Sequence, residues 1–97
     1  MERARAIEIL RSRAAEAQRL GATALYLFGS TARDQAAEGS DVDLFVDYDP
    51  DKFSFVELIR LRENLSHALG RPADLTTRRA LHPALKDNIE REAIRVF

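Results

Sequence analysis

From Asp41 to Tyr48 the chain alternates, with Val42, Leu44 and Val46 on one side and Asp41, Asp43 and Asp47 on the other. A period of two belongs to a strand and not to a helix, so this run is expected to bury one apolar face and turn an acidic one elsewhere. Upstream, Ala24 to Phe28 is a short apolar run bounded by Thr23 and Gly29. It reads as a second strand, buried on both faces of an α/β core.

Gly29 ends that strand. Lacking a Cβ, it lets the backbone turn sharply and lets an anion approach the amides, while Ser30 adds a hydroxyl and is expected to cap a helix starting at Thr31. Such a helix start attracts phosphate, and Arg33 on its first turn reaches an oxygen the amides leave uncovered. The bland alternative is an ordinary strand-to-helix turn with a surface arginine.

Residues i and i+2 of a strand place Asp41 and Asp43 roughly 6 to 7 Å apart at Cβ, a spacing that suits a metal pair about 4 Å apart. Without a cation they repel. A third carboxylate is Asp74, in Pro72-Ala73-Asp74-Leu75-Thr76-Thr77, where Ala73 and Leu75 face one way and Asp74 the other. Three carboxylates on neighbouring strands beside a phosphate-gripping turn form a candidate site for magnesium-dependent nucleotidyl transfer. The competing readings make Asp41 and Asp43 the wet face of a strand, and Asp74 the ion-pair partner of Arg71 or Arg78.

Leu27-Phe28-Gly29-Ser30-Thr31-Ala32-Arg33, with Ser40-Asp41-Val42-Asp43-Leu44-Phe45-Val46, resembles the minimal nucleotidyltransferase family of the DNA polymerase β-like superfamily. Gly70 to Thr76 is similar to its third-carboxylate strand and Leu81 to Phe97 to its closing segment, so the likeness covers nearly the whole chain. It implies a small mixed sheet packed by helices, the polymerase β-like palm fold, over one domain spanning 1–97. It also implies Asp41, Asp43 and Asp74 as catalytic and metal-holding residues, Gly29, Ser30 and Arg33 as nucleotide-binding residues, Mg2+ or Mn2+ as cofactor, and ATP as donor. Asp34 departs from the pattern, since glycine is more usual there.

Minimal nucleotidyltransferases commonly pair with a small helical HEPN toxin. The resemblance therefore implies an antitoxin that adenylylates its partner on tyrosine, as part of a homo- or hetero-oligomer. Two other readings stay open: a noncatalytic antitoxin that acts by binding, and nucleotidylation of a small molecule such as an aminoglycoside.

Composition bounds these readings. A chain of 97 residues, 45% hydrophobic, buries somewhat over ~60% of its unfolded surface, enough for one modest core. The absence of cysteine excludes disulfides and thiolate metal sites and leaves oxygen ligands. Fifteen basic against sixteen acidic residues give a net charge of −1, so no broad attraction to nucleic acid is encoded, and nucleotide is the expected ligand. No apolar stretch is long enough to span a membrane, and a cytoplasmic protein is expected.

Along the rest of the chain, Glu2 to Leu20 reads as one helix with Ile7, Leu10, Ala14, Ala17 and Leu20 inward, closed by Gly21. Asp49-Pro50-Asp51 breaks the strand that begins at Asp41, leaving Asp47, Asp49 and Asp51 to a solvated loop. Ser54-x-x-Glu57 is a capping box for a helix with Phe55, Leu58, Ile59, Leu65 and Leu69 inward, ended by Gly70. His82-Pro83 starts a last helix through Ile89, and Ile94 and Val96 alternate as a short edge strand. His67 and His82 are read as structural, and Tyr26 and Phe28 as core.

Overall fold

The computed structural model describes all 97 residues. Its centre is a four-stranded sheet in which residues 73–77, 42–48, 22–28 and 94–95 lie side by side in that order. Strand β1 (Ala22–Phe28) runs antiparallel to β2 (Val42–Tyr48) and to the short β4 (Ile94–Arg95), while β3 (Ala73–Thr77) lies parallel to β2. A parallel neighbour requires a crossover, and helix α4 (Phe55–Leu69) supplies it. The sheet is therefore mixed, as the sequence leads one to expect.

One face of the sheet is dry. Leu25 and Leu27 of β1, Val42, Leu44 and Val46 of β2, and Ala73 and Leu75 of β3 meet Leu10, Ala17, Leu61, Leu65 and Leu69 from the helices in a single buried cluster. Leu25, Leu27, Leu44, Leu61 and Leu65 are fully enclosed, each stabilising the fold by about 1.5–3 kcal/mol. The opposite face carries Tyr26, Phe28, Asp43, Phe45, Asp47 and Asp74 and has no such helical layer. Tyr26 and Phe28 are only half-buried there, so β1 is not covered on both sides and these two rings lie outside the main core.

The amino-terminal segment is two helices, α1 (Arg3–Arg11) and α2 (Ala14–Leu20), not one. Ser12 Oγ donates to the Ile9 carbonyl, and Arg13 sits at φ −104°, ψ 6°. Such a side-chain bond to the preceding turn competes with helix continuation. Gly21 closes α2 in the left-handed region at φ 112°, and a Cβ there would also crowd Lys52 and Phe53.

Helix α4 starts as the capping motif requires, with Glu57 Oε1 accepting from Ser54 N at 2.8 Å and from the Ser54 hydroxyl. Phe55 does not turn inward: it is 72% exposed, because the first residue of a helix precedes the turn that meets the core, and Leu61 fills the inward position. The last helix, α5, spans Lys86–Glu92 and starts later than His82-Pro83 suggests. The intervening residues form turns, one of them held by the Ala84 amide donating to His82 Nδ1 at 3.1 Å. No helix is long and apolar enough to cross a membrane.

Candidate active site

Strand β1 delivers the chain to Gly29, which turns at φ 73°. A Cβ at Gly29 would overlap the Asp43 carboxylate, Oδ2 being its nearest neighbour. The register explains the contact: Phe28 pairs with Asp43 across β1 and β2. Glycine is thus required twice, for the left-handed backbone and for the space the carboxylate fills. The turn and the acidic strand, separate in sequence, form one surface.

Strand β3 adds Asp74, which stands directly beside Asp43 in the parallel register. Asp41 lies one residue ahead of β2 and is exposed, as is Asp74, while Asp43 is half-buried. The pKa of Asp43 is raised above its ordinary 3.8, first by burial, then by the charges of Asp74 and Asp41, with Arg33 pulling the other way. The three predicted carboxylates and the predicted arginine therefore act on one another through a shared field.

The helix after Gly29 is shorter than expected. Helix α3 covers only Gly29–Ala32, Phe28 holds its N-cap position, and no side chain caps it. Ser30 is thus inside the turn and not its cap. Thr31 is buried with its hydroxyl unpaired. Asp34 adopts φ 60°, which explains why glycine is usual at this place: the position is left-handed, and aspartate is one of the few other residues that tolerate it. Its carboxylate accepts from the Arg3 amide at 2.9 Å.

Two contacts invisible to local sequence reading complete the surroundings. Glu92, at the end of α5, accepts from the Gly29 amide at 3.2 Å and from Arg33 Nη1 at 3.1 Å through both oxygens. Asp47, assigned by sequence to a solvated loop, is in β2 and takes a two-pronged ion pair from Arg78, at 2.8 Å to Nε and 2.9 Å to Nη2. Arg78 also pairs with Glu90 and covers the rings of Tyr26 and Phe45, 4.8 Å from each centroid. Arg78 is so engaged and Arg71 forms no ion pair, so Asp74 is paired with neither of the two arginines the competing reading offered it.

A cavity of about 320 Å³ lies at the other end of this face, lined by Val46, Asp47, Tyr48, Arg78, Arg79 and Lys86. It is a neighbour of the carboxylate row, not its centre, because Asp47 is four residues along β2 from Asp43. The carboxylates themselves are not drawn into a closed group of three metal donors. Their chemistry nevertheless suits a divalent ion: the donors are all hard oxygens, and Asp41, Asp43 and Asp74 take part in no ion pair, Arg33 being held by Glu92.

The sequence profile described as the nucleotidyltransferase domain matches residues 5–96. The chain belongs to that family. A protein of Methanocaldococcus jannaschii provisionally named protein adenylyltransferase MJ0435 is 41% identical over 71 residues, covering 73% of this chain and 75% of that protein. Protein adenylyltransferase MntA of Thermococcus cleftensis is 34% identical over 79 residues, 81% and 79% of the two chains. A solved structure provisionally described as a minimal nucleotidyltransferase superposes with a TM-score of 0.75 at 35% identity, covering 97% of this chain and 95% of its own. A toxin–antitoxin crystal structure with AMP-PNP gives a TM-score of 0.70 at 21% identity over 90% and 72%, a likeness of fold alone. In this nucleotidyltransferase the open sheet face is where Gly29, Asp43 and Asp74 meet.

Proposed function

We propose that this chain acts as one nucleotidyltransferase domain that moves AMP from ATP to a tyrosine hydroxyl of a HEPN toxin and so serves as its cytoplasmic antitoxin. The observation that carries this reading is the Asp43 carboxylate seated against the bare α-carbon of Gly29 with Asp74 beside it. A triphosphate held at Gly29 therefore has its α-phosphate within reach of the carboxylates. The names of the relatives support a protein as the acceptor, and the fold shared with a toxin–antitoxin complex supports a toxin.

In the proposed reaction the acceptor oxygen attacks the α-phosphorus, the bond from that phosphorus to the bridging oxygen of the β-phosphate breaks, and pyrophosphate leaves. Asp74 accepts the hydroxyl proton. Gly29 and Ser30 hold the β- and γ-phosphates and Arg33 offsets their charge. Asp41, Asp43 and Asp74 would hold magnesium, which would supply Lewis-acid charge at the phosphates and lower the pKa of the acceptor hydroxyl.

Incubation with ATP labelled on the α-phosphate, magnesium and the cognate HEPN protein tests the reading. Label is expected on the toxin, lost in Asp43→Asn and Asp41→Asn. Tight binding of the toxin with no label transferred assigns neutralisation by docking, and label on small hydroxylated acceptors without any protein assigns a small-molecule substrate.

A further inference from the structure

The groups assigned to the triphosphate are already bonded to an anion, and that anion belongs to the chain itself. Glu92 lies 63 residues from Gly29 yet its carboxylate takes the Gly29 amide and the Arg33 guanidinium together. A carboxylate and a phosphate offer such donors the same kind of charged acceptor oxygen, so the two compete for them.

The geometry makes the contact a fixed feature of α5. Ile94 pairs with Leu27, only two residues after Glu92, and Arg78 holds Glu90 at the face of the sheet. Helix α5 buries none of its own residues, so these ties, more than a core, position it. The backbone at Glu92 is consequently anchored, and release of Gly29 and Arg33 requires only rotation of one side chain. The ion pair is also half-open to water, with side chains 49% and 35% exposed. Pairs of this kind are weak and yield to a ligand carrying several charges.

We propose that Glu92 is a built-in competitor of the nucleotide: it occupies the phosphate grip in the free enzyme, and a triphosphate enters by turning it out. This inference rests on the reading of Gly29 and Arg33 as the triphosphate site. Glu92 then sets how much nucleotide is needed for occupancy, and keeps Arg33 paired when the site is empty.

Calorimetric titration of the full chain with magnesium tripolyphosphate, and with a non-reactive magnesium ATP analogue, tests it in wild type, Glu92→Gln and Glu92→Ala. Glu92→Gln keeps the shape of the side chain, and a thermal melt confirms that it folds. Both variants are expected to bind both ligands about three- to tenfold tighter than wild type. In an Arg33→Ala background the gain from Glu92→Ala is expected to shrink, because part of what the carboxylate competed for has gone. Binding that is unchanged or weaker in the Glu92 variants, with wild type still binding, overturns the competitor and makes Glu92 a support for Arg33 while leaving the nucleotide site in place. Absence of binding in every form, Glu92→Ala included, overturns the triphosphate reading and the competitor with it.

Discussion

Asp43 and Asp74 are lateral neighbours across the parallel β2–β3 pair, and their proximity, added to burial, holds the Asp43 pKa above 3.8. Two like charges kept side by side on rigid strands are a cost to the fold. They are also what a divalent ion would relieve.

Replacing Asp43 should therefore strengthen the fold while removing activity. A carboxyl whose folded pKa is raised binds more protons in the native state than in the unfolded one, so stability falls as pH climbs from 3.8 through the folded value, and the full penalty stands at neutral pH. Asp43→Asn is expected to melt a few degrees above wild type at pH 7, within about 4–8 °C for each kcal/mol recovered, with no advantage near pH 3. Added magnesium should raise the melting temperature of wild type and not that of Asp43→Asn. Thermal melts across pH, with and without the ion, check both.

Gly29→Ala acts at the same point from the other strand. The left-handed backbone alone costs about 1–2 kcal/mol for an L-residue, and the added methyl group drives Asp43 from its place. Urea denaturation should show at least that loss, together with loss of nucleotide binding.

At Asp34 two substitutions separate backbone strain from hydrogen bonding. Asp34→Gly relieves φ 60° but loses the bond to the Arg3 amide, so the two effects nearly cancel, to within about 0.5 kcal/mol. Asp34→Ala loses the bond and keeps the strain, and should cost about 1 kcal/mol or more. Paired denaturation curves distinguish them.

Arg78 connects the sheet to α5. Its pKa is raised above the ordinary arginine value, chiefly by its bonds to Asp47, then by that to Glu90, so it stays charged at every pH at which the protein folds. Arg78→Ala is expected to cost about 1–2 kcal/mol through lost cover of Tyr26 and Phe45 and lost pairing. Arg78→Lys should not restore it, since an ammonium neither forks onto Asp47 nor lies flat over the rings. Faster hydrogen exchange in α5 would accompany the loss.

Glu57 gives the opposite pH response from Asp43. Its bonds to Ser54 hold its pKa below the ordinary 4.5, so its contribution is complete above 4.5 and fades as pH falls through the folded value. The melting-temperature gap between wild type and Glu57→Gln should be present at pH 7 and close under acid.

Strands β2 and β4 were legible because each is short and alternating: Val42, Leu44 and Val46 went inward as their spacing required, and Ile94 paired with β1 at the edge. Strand β1 was visible as an apolar run, but the run did not show that only one of its faces is covered. Capping residues gave the bounds of α4 for the same local reason. What the sequence hid was either competition within a turn or contact across the chain. Ser12 breaks the first helix by bonding to Ile9, although the apolar period runs through it. Phe55 obeys the inward period but comes a turn too early to meet the core. Glu92 reaches Gly29, and Arg78 reaches Asp47, across 63 and 31 residues, and no neighbouring residue marks either. The candidate carboxylates were visible as a pattern, but the seat of Asp43 on Gly29 follows only from strand register.

A sheet that keeps its dry side under helices and its wet side bare divides the chain's freedom to diverge. Substitutions behind the sheet are limited by volume, whereas those in front, apart from Gly29, the buried Phe45 and the Arg78 that covers it, can re-aim the same fold at a new acceptor at little cost to its ability to form. Relatives with matching interiors and dissimilar fronts would be the historical trace of that division.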